Sequence, residues 1–111
     1  MDNIIKEVEN LKQIILSSDE YNNYKKSEEV LDKNTEIKNI IEKIKELQKI
    51  IINKEDKNED YEKEEIEVQS LYKKLNSYED YKNYIESSKI FNDSLTYIQK
   101  EFENYFNQFI I

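Results

Sequence analysis

Residues 56–67 read DKNEDYEKEEIE and form a dense run of side chains able to hold a cation. Asp56, Asn58, Asp60, Glu62, Glu64 and Glu67 fall at positions 1, 3, 5, 7, 9 and 12 of a twelve-residue calcium loop. Such a loop turns sharply at its sixth position, where glycine supplies the positive φ, and Tyr61 stands there instead. Position 8 is Lys63 where an apolar residue is expected. A segment this acidic also reaches the spacing by chance. A solvated turn running into a helix, with Glu67 on that helix, is the plainer reading. A small acidic calcium-binding module is kept as the alternative function.

Other chemistry has little to work with. The 111 residues include 25 Asp and Glu, 17 Lys and no Cys, His, Gly, Pro or Trp. Ala and Arg are missing as well, and the residues that remain are those of AT-rich codons. Without Cys there is no thiolate nucleophile, disulfide or thiolate ligand. Without His there is no imidazole ligand and no side chain that ordinarily titrates near neutral pH. No glycine-rich loop can cradle a phosphate. Paired carboxylates do acid–base work only where a cleft separates their pKa values, and here they alternate with Lys as on wetted helix faces. No catalytic, cofactor-binding or metal residue is therefore assigned, and no cofactor or enzymatic activity is expected.

The net charge of −8 repels phosphate backbones, and no lysine cluster stands out. Direct nucleic-acid binding is not expected. The opening MDNIIKEVEN lacks the basic and apolar regions of a secretion signal. Apolar runs reach only three residues, far short of a membrane span. The expectation is a soluble, cytoplasmic protein of one domain, residues 1–111.

A repeat carries more information. SSDEYNNYKKSEEVLDKN (17–34) aligns without a gap on SYEDYKNYIESSKIFNDS (77–94). Ser17/Ser77, Tyr21/Tyr81, Asn23/Asn83, Tyr24/Tyr84 and Ser27/Ser87 are shared, and Leu31 faces Phe91 in the alignment. Each tyrosine pair, spaced by three, lies on one helical face, where rings can be buried while hydroxyls stay wet. Packing is the plain reading of Tyr21, Tyr24, Tyr81 and Tyr84. An aromatic docking surface is the functional one, since Tyr is favoured at interfaces.

The elements that position these residues follow from apolar spacing. Ile4, Val8, Leu11 and Ile15 step by four, three and four, which predicts a first helix. Ser17 and Glu20 predict a capping box for the second, which carries Tyr21, Tyr24 and Leu31. Asn34 or Thr35 is expected to cap a third helix bearing Ile37, Ile40, Ile44, Leu47 and Ile51, with Ile41, Ile50 and Ile52 widening the stripe. KEDKN (54–58) has no apolar residue and predicts a turn. Tyr61, Val68, Leu71, Tyr72 and Leu75 share one side of a fourth helix. Asn76-Ser77 breaks it, and Ser77 is expected to cap a fifth through Asp80. That fifth segment spaces Tyr81, Tyr84, Ser88, Phe91, Leu95, Ile98, Phe102, Tyr105 and Phe109 by alternating threes and fours, a coiled-coil-like seam.

No segment alternates with period two, so the class is all-α. The third and fourth helices are expected to form a long antiparallel hairpin with the others packed across its face. Phe102, Tyr105, Phe106, Phe109, Ile110 and Ile111 spread around more than half of the last helix. That is more apolar surface than one small chain buries, so a dimeric helical bundle or a slot for a partner helix is expected.

The repeat, the TEIKNIIEKIKELQKIIIN arm, the polar turn and the EEIEVQSLYKKLNSYEDYKNYIESSKIFNDSLTYIQKEF segment together resemble the YlbF/YmcA family of small helical regulators from low-GC Gram-positive bacteria. The resemblance runs from Ile4 to Phe106 and rests on patterns of residue type. It implies an all-helical homodimer without enzymatic activity, acting through protein partners. Several relatives work in a complex that steers RNase Y and influence mRNA processing, biofilm formation, competence and sporulation. The complex-forming members carry C-terminal cysteines implicated in iron–sulfur binding, which this chain lacks, so the resemblance is to a short, cysteine-free member. The matching positions are packing positions, and no functional residue is carried over. Each tyrosine pair is expected to brace one arm of the hairpin. A structural dimer without regulatory duty is the remaining alternative.

Overall fold

The computed structural model describes residues 1–110; Ile111, one of the expected C-terminal apolar residues, lies outside them. Five helices follow in order: α1 (Asp2–Leu16), α2 (Asp19–Lys33), α3 (Thr35–Asp56), α4 (Glu62–Leu75) and α5 (Glu79–Asn107), with no strand among the described residues. The five amphipathic segments are thus five helices, and the fold is all-α.

Helix ends show where local chemistry overrode the simplest motif. The hydroxyl of Ser17 donates back to the carbonyls of Gln13 and Ile14, at 2.9 and 3.1 Å, and so closes α1. It is Ser18 that accepts from the Tyr21 amide, at 3.2 Å, and starts α2. The capping box expected at Ser17 does not form; the cap bond falls one residue later, because the Ser17 hydroxyl meets an orphan carbonyl before it reaches an orphan amide. Ser77 repeats the move, donating to the Lys74 carbonyl at 2.6 Å. Asn34 behaves as expected, its side chain accepting from the Ile37 amide at 3.1 Å.

The expected turn at 54–58 lies three residues later, because α3 continues through Asp56. Asn58 takes φ 56° and terminates it, since Asn tolerates the left-handed region better than most residues. The Glu59 amide then bonds the Lys54 carbonyl at 2.8 Å and the Asn58 amide bonds Glu55 at 3.1 Å, the paired bonds of a Schellman ending.

The described chain divides into two compact units, Glu29–Asn83 and a discontinuous unit of Met1–Glu28 with residues 84–110. The continuous unit is built on α3 and α4, the most extensive helix pairing in the fold. Lys54 meets Glu64 near the turn and Gln48 meets Tyr72 further along, so the two helices run antiparallel. Ile37, Ile40, Ile44 and Leu47 are buried on α3, with Leu75 of α4 and Leu31 at the end of α2. The stripe read from the 3-4-3 spacing is therefore the core, with Ile37 fully enclosed (0% exposed) and Leu75 nearly so (1%). Ile51 is half-buried, whereas Ile50 and Ile52 face solvent. The Tyr78 hydroxyl donates to Glu36 at 2.9 Å, holding the first turn region of α5 to the start of α3.

The discontinuous unit contains α1, most of α2 and α5 from Tyr84. None of its described side chains is fully buried. Its helices meet through half-buried aromatic residues instead.

Candidate interaction site

The repeat explains how that unit is joined. Positions sixty apart in sequence lie against each other. The Tyr24 and Tyr84 rings approach to 5.9 Å between centroids. The Ser27 and Ser87 hydroxyls bond at 2.5 Å, each also bonding the carbonyl three residues earlier, Tyr24 or Tyr84. Phe91 lies between the tyrosines of the first copy, stacked on Tyr24 and edge-on to Tyr21, both at 5.4 Å. Small serines permit the backbones to approach, and the flanking rings fill the space on either side.

This revises the role expected of the tyrosine pairs. Tyr24 and Tyr84, expected to brace separate hairpin arms, meet each other. A ring face is self-complementary, so two copies of one pattern can pair as readily as either can pack on a third element. Tyr21, Tyr24 and Tyr84 are thus brought together in the discontinuous unit, while Tyr81 falls in the continuous one. Phe91 and the two serines belong to the cluster although their aligned positions alone did not mark them for it. The signal was present in the alignment, but nothing in it tells whether two copies contact or merely resemble each other.

The Tyr24 hydroxyl is held by the Glu28 carboxylate one turn away and secondly by Tyr84, which together push it up to about 12. Glu28 in turn is held below its ordinary value, first by that phenol and then by Lys25, 3.3 Å away. This polar edge closes one side of the aromatic cluster.

Between α1 and α5 the surface stays open. Ile4, Val8, Leu11 and Ile14 of α1 and Phe102, Tyr105 and Phe106 of α5 line a groove of about 690 Å³. It continues along Ile15, Phe91, Leu95 and Ile98 as a further hollow of about 490 Å³. Phe102 stacks on Phe106 at 6.1 Å and Tyr105 leans on Phe109, just past the end of α5, at 5.5 Å, yet these contacts are local in sequence and cover little. Phe106 is 58% exposed and Phe109 69%. The expected excess of C-terminal apolar surface is therefore present over the described residues.

The acidic run is placed differently from a calcium loop. Asp56 ends α3, and Glu62, Glu64 and Glu67 lie on α4. Asp60 accepts from the Glu62 amide at 3.2 Å, as a helix-start residue does. Glu64 binds Lys54 at 2.6 Å, which holds the carboxylate low and the ammonium high. The positive φ falls on Asn58, the third position of the run, and Tyr61 at the sixth has φ −128°. Among the described residues no group of three acidic or other ligating side chains converges on a cation position.

Comparison with known proteins fits this geometry. A family model described as Com_YlbF, control of competence regulator ComK, YlbF/YmcA, matches residues 4–105. The chain belongs to the YlbF/YmcA family. No curated protein sequence matches it. Among solved structures it is similar to Bacillus subtilis RicA, determined in complex with RicF, with a TM-score of 0.84 at 14% identity over 98% of this chain and 97% of that one. At such identity the likeness is one of fold. YlbF/YmcA membership sets the chain among proteins described as regulatory. Among the described residues no helix is long and apolar enough to cross a membrane.

Proposed function

We propose that this chain is a non-enzymatic regulatory adaptor of one domain, working by protein–protein contact through the open apolar face of α1 and α5. The observation that carries the reading is the joint exposure of two amphipathic stripes in a unit with no fully buried side chain among its described residues. Surface of this kind is commonly covered by another protein. Membership of a competence-regulator family supports it, as does the similarity to a protein solved in complex with a partner. The single-domain reading rests on the chain passing between its two units inside α2 and α5, with no linker.

Within that role, the family resemblance favours a cytoplasmic place in RNase Y-dependent mRNA processing, or in control of biofilm formation, competence or sporulation. Effects on RNA would come through the partner, given the chain's net charge of −8. A homodimer is the second reading, favoured by the exposed Phe106, Phe109 and Ile110. The tagged chain should recover RNase Y or its accessory factors from native cytoplasm, and Phe106→Glu should lose them. Recovery of neither, with a monodisperse 13.6 kDa species in light scattering, would reject both readings. Titration with millimolar calcium should leave heat and helicity unchanged; a saturable heat would revive the calcium-binding alternative.

A further inference from the structure

The repeat reaches further back than its most similar stretch. With the same offset of sixty, Val8, Leu11 and Ile15 of α1 align with Val68, Leu71 and Leu75 of α4. Two helices of matching stripe therefore begin the two halves of the chain, α1 at Asp2 and α4 at Glu62. The α4 stripe is covered by α3, an isoleucine-rich amphipathic helix that buries Ile37, Ile40, Ile44 and Leu47 and places Lys54 on Glu64 at 2.6 Å. The α1 stripe is covered less completely: Leu11 and Ile15 are half-buried, Val8 is 57% exposed, and the groove beside it is open.

The groove also has a sign. The carboxylates lining its connected parts are Glu7, Glu20, Asp93 and Glu101. No lysine is among the described residues that line them, and Lys6 and Lys12 of α1 are exposed elsewhere. An apolar floor with an acidic rim selects its occupant by two criteria. It needs aliphatic side chains spaced by three and four to fill the floor, and cationic side chains flanking that stripe to meet the rim. A second copy of this chain would set acidic rim against acidic rim, which costs rather than stabilises.

Resting on the adaptor reading, we infer that the α1–α5 groove receives one amphipathic helix of a different protein, with an Ile/Leu stripe flanked by Lys or Arg. The α3 helix and its lysine are the intramolecular pattern for this occupant. Helix-in-groove recognition of this type places i, i+3, i+4 and i+7 anchors along the floor, and the rim charges set partner choice and encounter rate.

The test uses the full chain and two fluorescent synthetic helices of identical Ile/Leu stripe, one flanked by Lys and one by Glu. In anisotropy titrations at low salt the Lys-flanked helix should bind at least about tenfold more tightly. Raising salt to about 0.5 M should shrink the ratio below about threefold, since exposed charges are screened. Glu7→Lys with Glu101→Lys should remove the preference while leaving helicity intact, and Val8→Asp should weaken both helices. Equal binding of the two peptides, or binding of neither, would overturn the inference. So would a doubling of mass in light scattering that protects α1 and α5 from amide exchange, which would give the groove to a second copy. A chain that still recruits its protein partner but shows no peptide preference defeats this inference alone and leaves the adaptor role standing.

Discussion

The two units use the same material to opposite ends. In Glu29–Asn83, α3 presents a line of isoleucines, and α4 returns across them after a five-residue turn with Val68, Leu71 and Leu75. In the discontinuous unit, α1 presents Val8, Leu11 and Ile15 at matching positions, and no described residue beside them is fully buried. The difference is one of connectivity. A Schellman ending at Asn58 turns the chain from α3 back into α4, whereas α5 continues as one helix past Ser94 to Asn107 and leaves Tyr105 and Phe106 exposed. An amphipathic stripe does not by itself make a core; it makes a core where the chain returns and an open surface where it does not.

That contrast has graded consequences. Ile37→Ala or Leu75→Ala should cost about 3–4 kcal/mol in denaturant unfolding, the range for large side chains removed from a sealed core. A loss below about 1 kcal/mol at both would mean the hairpin is not sealed. Tyr24→Ala should cost about 2 kcal/mol, because the ring is only half-buried but touches both Tyr84 and Phe91. Ser27→Leu, which forces apart a 2.5 Å hydroxyl contact, should cost about 1–3 kcal/mol by overpacking. Tyr105→Ala, on the open side, should stay within about 0.5 kcal/mol. A large loss there would show that the groove is already covered.

The smallest effect is a titration. Tyr24 is raised from 10.0 to about 12, so its contribution to the α2–α5 contact is complete below pH 10 and fades as pH rises towards 12. Glu28 is lowered from 4.5, so its share is present above that pH and is lost as pH falls through its folded value. Absorbance titration of phenolate should show Tyr24 and Tyr78, the latter raised by its bond to Glu36, ionising late, and Tyr24→Phe should delete the latest phase alone. An unchanged latest phase would assign it to another ring.

Much of this was legible in the residues. Spacing by three and four marked all five helices, and Ile37, Ile40, Ile44 and Leu47 were readable as core because a helix projects those positions on one side. The excess of apolar residues at the C-terminus was readable from their spread around the helix. Caps were misplaced by one residue at Ser17 because a serine at a two-residue junction can serve either helix. The turn at 54–58 was placed early because polarity does not stop a helix; a residue able to take positive φ does, and that was Asn58. The meeting of Tyr24 with Tyr84 was not legible, since local spacing fixes a face but not the face it meets.

Amide hydrogen exchange of the full chain, resolved along the helices, tests the contrast between the units most directly. The account predicts that α3 and α4 exchange slowest, with α1 and α5 beyond Ile98 faster by about 100-fold or more, and that only the latter slow when a partner helix is added. Equal protection of α1 and α4 in the isolated monomer would contradict it.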